Sequence, residues 1–174
     1  IVPNETITNP ICNGICNGTI ELNPTGGTSP YAYNWSANVT SGQGTNTASL
    51  LCEDTYSVTV TDASQCTVVE SFTITEPILL DATIATTSES CNPGADGRAI
   101  ANVSGGTGAY AYTWSISDPK NDDTLKNIVA GNYRVTIDDN NGCRITRSFT
   151  IGSGANISAN ETITDATCFG ESTG

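Results

Sequence analysis

The most constraining feature of this sequence is an internal repeat of about 77 residues. Thr25–Ser36 (TGGTSPYAYNWS) returns as Ser104–Ser115 (SGGTGAYAYTWS), and Tyr56–Asp62 (YSVTVTD) returns as Tyr133–Asp139 (YRVTIDD). The offset falls from 79 to 77 between the two motifs, so one connecting loop has lost two residues. A chain that repeats itself at this spacing is expected to fold as like-built units, each with its own core.

The repeat predicts the domain organisation. We expect a first unit over 1–78, a second over 79–154, and the first strand of a truncated third unit over 155–174. Asn160–Thr164 repeats Asn4–Thr8, which supports the third unit. No signal peptide is visible ahead of the first strand, so we expect the chain to be an internal piece of a longer precursor.

Short alternating runs rich in Thr, Val, Ile and Tyr, separated by Gly and Asn turns, indicate β-strands. Each unit is expected to contain seven of them, counting a weak extra strand between the third and fourth. In the first unit the strands are expected near 5–11, 19–23, 31–35, 45–50, 56–61 and 67–75. In the second they are expected near 81–87, 98–103, 110–114, 124–128, 133–137 and 144–151. This spacing predicts an all-β fold of tandem immunoglobulin-like (PKD-like) β-sandwich domains in a linear array.

The aromatic residues sit at positions that such a sandwich uses for its core. Trp35 and Trp114 fall where the third strand keeps a buried tryptophan, and Tyr56 and Tyr133 fall where a tyrosine corner opens the fifth. An aromatic row can also form a sugar-binding platform. We favour core packing, because the same row returns in both units at the period of a strand.

The combined motif resembles a known family. The string Cys-x-Gly, then Ser/Thr-Gly-Gly-Thr-x-x-Tyr-x-Tyr-x-Trp-Ser, then Tyr-x-Val-Thr-Val-Thr-Asp and Asn-Gly-Cys is similar to the SprB-type repeat of Bacteroidetes gliding-motility and cell-surface adhesins. The resemblance covers nearly the whole chain. It implies export, a cell-surface or extracellular location, and a filamentous role in adhesion or gliding. The first unit departs from it, with Ala63–Cys66 (ASQC) in place of Asn-Gly-Cys and with two additional cysteines.

Charge excludes two classes of partner. The formal net charge is -12, and the six Lys and Arg residues all follow position 97. Nucleic-acid binding needs a basic surface, which this chain lacks. An anionic membrane surface is disfavoured for the same reason, and no apolar run is long enough to cross a bilayer.

Seven cysteines and no histidine in 174 residues indicate disulfides formed in an oxidising compartment rather than a zinc site. In the predicted topology Cys16 and Cys52 lie at the same end of the first unit, so we expect an intradomain bond between them. Cys12 lies at the end of the first unit that faces the second, so we expect an interdomain bond from Cys12 to Cys143. Under this scheme Cys66 bonds to a preceding unit, while Cys91 and Cys168 bond to following ones.

The alternative is one intradomain bond per unit, Cys12 with Cys66 and Cys91 with Cys143, leaving Cys168 without a partner. The predicted topology disfavours it, because strands of about eight residues separate the two ends of a sandwich by roughly 25 Å. A disulfide needs Cα atoms within about 7 Å. Peptide mapping without reduction distinguishes the two schemes.

Two further kinds of site are weaker predictions. Calcium is a candidate ligand of acidic residues near strand ends, namely Asp62, Glu76, Asp81, Asp138 and Asp139, although no 12-residue calcium loop is present. Solvated surface charge is the simpler interpretation, so we expect no cofactor. Thr124, in Asp123-Thr-Leu, is similar to acceptors of O-glycans in Bacteroidetes.

Catalysis finds no support in the sequence. There is no histidine to serve as a general base, no nucleophile elbow and no phosphate-binding glycine loop. We therefore expect a structural stalk or filament whose partners are neighbouring repeats and possible copies of the same fibre. The alternatives are a glycan- or surface-binding adhesin module and a self-assembling extracellular sheath.

Overall fold

The computed structural model describes residues 1–90, 94–116 and 122–154, and within these ranges the chain forms twelve β-strands and no helix. The first unit contains β1 (Glu5–Thr8), β2 (Gly18–Leu22), β3 (Ala32–Trp35), β4 (Thr47–Leu51), β5 (Asp54–Thr61) and β6 (Thr67–Ile74). The second contains β7 (Asp81–Thr87), β8 (Gly97–Ser104), β9 (Ala111–Trp114), β10 (Thr124–Ile128), β11 (Gly131–Asp138) and β12 (Arg144–Ile151). The expected third unit lies outside the described residues.

Each unit has two antiparallel sheets of three strands. In the first unit the orders are β1-β2-β4 and β3-β5-β6, and in the second they are β7-β8-β10 and β9-β11-β12. The first, second and fourth strands thus form one sheet and the third, fifth and sixth form the other, as in an immunoglobulin-like sandwich. The predicted fold class is confirmed.

Two separate hydrophobic clusters fill the sandwiches. The cluster of the first unit is built from residues between Ile20 and Ile74, and that of the second from residues between Ala82 and Ile151. Both sheets of a unit contribute, because alternate residues of each strand point inward. The two clusters have no residue in common.

The first strand is shorter than expected. It ends at Thr8, because Pro10 has no amide hydrogen and cannot continue the pairing of β1 with β2. The side chain of Asn9 instead accepts a hydrogen bond from the Thr75 amide at 3.1 Å. Residues 9–17, which we call the A–B loop, are thereby released from the sheet toward the second unit.

The expected seventh strand is wrong for the first unit. Between β3 and β4 the chain makes only an isolated bridge from Ser41 to Ser49. The polar Ser, Gly and Thr residues of this segment offer no apolar alternation that a strand could bury. The matching segment of the second unit includes residues outside the described ranges.

A β-bulge recurs at the same place in both units. The pairing of β2 with β4 shifts register beside Leu50, and the pairing of β8 with β10 shifts beside Asn127. These two residues have φ angles of 57° and 58°. The left-handed conformation is common for Asn but unfavourable for Leu, whose side chain is 63% exposed here.

The interdomain junction as the candidate functional site

A disulfide joins the two units. Cys12, in the A–B loop of the first unit, is bonded to Cys143, which ends the turn between β11 and β12 of the second. Their Cα atoms are 5.7 Å apart, and 131 positions separate them in the sequence. The bond therefore closes a covalent ring that contains most of both sandwiches.

Asp139 fixes the turn that presents Cys143. One oxygen of its buried carboxylate accepts hydrogen bonds from the amides of Asn141 at 2.9 Å and Cys143 at 2.8 Å. The other oxygen accepts from the amide of Thr107 at 2.9 Å, which ties this turn to the one between β8 and β9. Three charge-assisted bonds hold the cysteine in position.

Asp62 makes the same arrangement in the first unit. Its carboxylate accepts hydrogen bonds from the amides of Ser64, Cys66 and Thr28, each at 2.9 Å. The amides of Thr28 and Cys66 lower the pKa of the Asp62 carboxyl below its ordinary value of 3.8, because they stabilise the charged form. Asp62, a weak calcium candidate in the sequence, organises this turn through its carboxylate.

Glu76, in the linker between β6 and β7, fixes the other side of the junction. Its carboxylate accepts hydrogen bonds from the Asn13 side chain and from the Gly14 amide, both at 2.6 Å. Asn13 also donates to the carbonyl of Pro77 at 3.1 Å. The A–B loop is thus attached to the linker immediately beside Cys12.

The linker in turn packs on the second unit. The carbonyl of Ile78 accepts a hydrogen bond from the Gly106 amide at 2.8 Å. A side chain at Gly105 would collide with the carbonyl of Leu79, and the φ of 68° at this position also favours glycine. The Gly-Gly pair of the repeat motif is therefore the place where the linker crosses the second sandwich.

A cleft of about 310 Å³ remains between the two units. Ile15 lines it from the first unit, and Leu79, Leu80 and Ile145 line it from the linker and the second unit. The side chain of Asn141 also crosses the junction and donates to the carbonyl of Ile11 at 3.3 Å. The junction combines one covalent bond with apolar and polar contacts.

A second disulfide lies within the first unit. Cys16 and Cys52 are bonded, with Cα atoms 4.1 Å apart and a sequence separation of 36. This bond ties the A–B loop to the turn between β4 and β5. The alternative pairs Cys12–Cys66 and Cys91–Cys143 are not the ones formed, because Cys12 and Cys143 are bonded to each other.

Of the other three cysteines, the structure describes Cys66. Cys66 is exposed and carries a free thiol. Cys91 and Cys168, for which bonds to following units were predicted, lie outside the described residues.

At the same end of the second unit, Ala95 and Val129 stand at the positions of Cys16 and Cys52. Glu89 is buried, with 4% of its surface exposed, and its carboxylate accepts a hydrogen bond from the Ala130 amide at 3.1 Å. Sequence analysis did not single out Glu89. The sequence could have indicated it by position, since Glu89 is the repeat equivalent of Pro10 and lies in the loop that holds the additional Cys16 in the first unit.

The predicted aromatic residues lie in the cores. Trp35, Trp114 and Tyr56 are buried, and Tyr133 is half-buried against Phe149. The hydroxyls of the two tyrosines donate to carbonyls four residues upstream, at 3.2 Å in the first unit and 2.9 Å in the second. These bonds are those of a tyrosine corner. The buried tryptophans do not form an exposed platform for a sugar.

The other calcium candidates are engaged with cations of the protein. Asp138 pairs with Arg144 at 2.6 Å, and Asp81 is hydrogen-bonded to Arg147, which lowers the pKa of the Asp81 carboxyl. Within residues 1–90, 94–116 and 122–154, no group of three or more His, Cys, Asp or Glu side chains is placed to hold a metal ion. Calcium binding stays a prediction.

Thr124, the predicted glycan acceptor, begins β10 and is half-buried. Its hydroxyl donates to the Asp123 carboxylate at 2.8 Å, and its amide donates to the Asp122 carboxylate at 3.0 Å. Glycosylation of Thr124 also stays a prediction. No helix in the part of the chain that the structure describes is long and apolar enough to cross a membrane.

Comparison with known families gives one match. The model of the SprB repeat matches residues 4–40 and 83–118. Two regions of the chain are therefore similar to the SprB repeat. The first match contains β1–β3, and the second begins within β7 and contains β8 and β9. The resemblance found in the sequence is thereby confirmed, and the two SprB matches fall in the two sandwiches.

Comparison with solved structures gives matches to immunoglobulin and surface-layer proteins, with TM-scores below 0.5. The N-terminal eight Ig domains of Down Syndrome Cell Adhesion Molecule are 14% identical, with a TM-score of 0.41 over 88% of this chain, which spans 25% of that chain. Domains 4 and 5 of the S-layer protein SbsC are 16% identical, with a TM-score of 0.36 over 89% of this chain and 96% of that one. The IgVJ-C2 molecule of amphioxus is 15% identical, with a TM-score of 0.35 over 76% of this chain and 94% of that one. Comparison with curated proteins gives no significant match.

Proposed function

We propose that this chain is a segment of a structural stalk or filament of a large secreted or cell-surface adhesin, in which residues 1–78 and 79–154 are tandem, force-bearing domains. The SprB repeats and the two disulfides support an extracellular repeat protein. The domain boundaries are supported by the two separate hydrophobic clusters. Adhesion or gliding motility is the role that this proposal gives to the whole protein.

The bond between Cys12 and Cys143 is the observation on which the proposal depends. Tension applied at the two ends of the chain passes through residues 1–12, crosses the sulfur–sulfur bond, and continues from Cys143 onward. The covalent ring between these cysteines is bypassed. Both sandwiches can therefore lose their hydrogen bonds without releasing their full length.

Among the residues that the structure describes, no exposed arrangement favours a catalytic or sugar-binding role over this one. The tryptophans lie inside the sandwiches, and Asp62 and Asp139 direct their carboxylates at backbone amides of their own turns. These observations support a structural role, in which the tryptophans and the two aspartates stabilise the sandwiches themselves. Binding of an oligosaccharide by the purified chain on a glycan array would favour the adhesin-module alternative.

Single-molecule stretching tests the proposal directly. With handles at the two ends, reduction of both disulfides should add about 450 Å to the extended length, because 131 residue steps are released at roughly 3.3–3.6 Å each. The double variant C12S/C143S keeps the Cys16–Cys52 ring closed. Without reduction, its extended length should therefore exceed that of the oxidised parent by about 330 Å. Equal lengths before and after reduction would contradict force transfer through this bond.

A further inference from the structure

The end of the second unit that meets the first is a covered surface. We call this end the upper pole of a unit. In the second unit it comprises Leu80, the turn from Asp139 to Cys143, and Ile145. The A–B loop of the first unit covers it through the Cys12 disulfide and through Ile15.

The first unit has an upper pole built in the same way. Ile1 occupies the position of Leu80, since each is adjacent to the second glycine of a Gly-Gly turn, Gly27 in one unit and Gly106 in the other. Val68 occupies the position of Ile145, and Ile1 and Val68 are both half-buried against the core of their unit.

Cys66 lies at this pole in the conformation that Cys143 has in the bonded pole. Its amide donates to the Asp62 carboxylate at 2.9 Å and its carbonyl accepts from the Asp62 amide at 2.9 Å. The corresponding distances from Cys143 to Asp139 are 2.8 Å and 3.0 Å. The turn that positions a cysteine for an interdomain bond is thus fully formed, and its thiol is exposed.

The turn before Cys66 keeps its backbone path despite one difference in sequence from the turn before Cys143. Gln65 stands where the second unit has Gly142, and the φ angles of these residues are 67° and 80°. The glutamine therefore accepts a left-handed conformation that favours glycine, and the path of the turn is kept. The upper pole of the first unit therefore keeps the shape of the occupied upper pole of the second, at the energetic cost of a left-handed glutamine.

We propose that the upper pole of the first unit docks the A–B loop of another unit of the same kind, and that Cys66 forms a disulfide with the cysteine in the Cys12 position of that loop. This inference rests on the proposed function and extends the single bond seen between two units to every junction of an array. The occupied pole of the second unit identifies the partner as an SprB-type unit.

The chemistry of the step is an oxidation. Two thiols lose two electrons and two protons and form one sulfur–sulfur bond. The electron acceptor is a disulfide, either of a thiol–disulfide oxidoreductase or, in a test tube, of oxidised glutathione, which leaves as two thiols.

A lengthened chain tests the proposal. A second copy of residues 1–79 is joined ahead of Ile1 of the full chain, so that Leu79 precedes Ile1 as it precedes Leu80. Cys66 of the added copy is replaced by Ser, which leaves one Cys66 in the array. After oxidation with glutathione and digestion at acidic residues without reduction, a peptide containing Cys66 should be linked to one containing Cys12.

The matched control carries Cys12→Ser in the added copy alone. In the control the Cys12–Cys66 linkage should disappear and Cys66 should become open to alkylation, while the Cys12–Cys143 linkage stays in both arrays and reports correct folding. Alkylation of Cys66 in the oxidised parent array, or a Cys12–Cys66 linkage that persists in the control, overturns the inference. Neither result touches the Cys12–Cys143 bond, whose absence would instead remove the proposed function.

Discussion

Cys12 and Cys143 come from different sandwiches and lie 5.7 Å apart between their Cα atoms. The contact depends on two local features of the sequence. Pro10 ends β1 early and frees the A–B loop, and Asp139 holds the receiving turn with three hydrogen bonds to backbone amides. The bond limits how far one unit can bend or twist against the next.

Removal of this bond should loosen the junction more than it weakens either unit. For C12S/C143S we expect a broader distribution of interdomain distances in small-angle X-ray scattering, because the junction then keeps its hydrogen bonds and apolar contacts but no covalent bond. The matched control is C16A/C52V, which gives the first unit the residues found at the equivalent positions of the second, Ala95 and Val129. The control should lower the unfolding free energy of the first unit by about 2–4 kcal/mol and leave the scattering unchanged. Identical scattering for C12S/C143S and the parent would contradict the role given to the bond.

Loss of the Asp62 carboxylate should destabilise the first unit in a pH-dependent way. The pKa of this group is lowered in the folded state, so its contribution is complete above about pH 4 and disappears as the pH falls through the folded pKa. Urea unfolding should show D62N to be clearly less stable than the parent at pH 7, with the difference shrinking toward pH 2. E53Q, at an exposed side chain, should match the parent at every pH. A difference in unfolding free energy between D62N and the parent that stays constant from pH 7 to pH 2 would contradict a stabilising role for the Asp62 charge.

The bulge residues should respond in opposite directions when exchanged. L50N should raise the unfolding free energy of the first unit by about 0.5–1 kcal/mol, because Asn adopts a φ near 57° more readily than Leu and little buried surface is lost. N127L should lower that of the second unit by a similar amount. Thermal unfolding of the two variants measures both effects, and a change of the same sign in both would refute the argument from backbone conformation.

A methyl group at either buried strand glycine should be costly. The Cβ of G97A would lie 2.5 Å from the Ile128 carbonyl oxygen and 2.8 Å from the Ile151 side chain, and the Cβ of G18A would lie 2.9 Å from the Leu51 carbonyl oxygen. We expect losses of about 1–3 kcal/mol in chemical denaturation, larger for G97A. In G131A the nearest atoms lie at 3.5 Å or beyond, so this control should stay within about 0.5 kcal/mol of the parent. A ranking with G131A as the least stable would contradict the packing argument.

The strand order and the burial of the tryptophans could be predicted from the sequence. The alternation of apolar and polar residues and the turn residues are local signals, and both units carry them. The end of β1 was misjudged because alternation suggested a longer strand, and the missing amide of Pro10 overrode it. The proximity of Cys12 to Cys143 followed from topology alone, once the ends of the strands had been assigned.

The role of the acidic residues could not be predicted in the same way. A carboxylate beside a turn looks the same in the sequence whether it faces water, a metal ion or backbone amides. Only the folded turns show that Asp62 and Asp139 accept amide hydrogens and that Glu76 holds Asn13. The matching positions of Asp62 and Asp139 in the two units were a signal that such an assignment could have used.

The ring closed by Cys12 and Cys143 also changes what a protease can do to the chain. A cut at one peptide bond anywhere between these cysteines opens the ring but leaves both fragments attached through sulfur. Severing the chain there takes two events, one in the backbone and one at the disulfide. A thread made of such segments survives isolated nicks in its exposed loops.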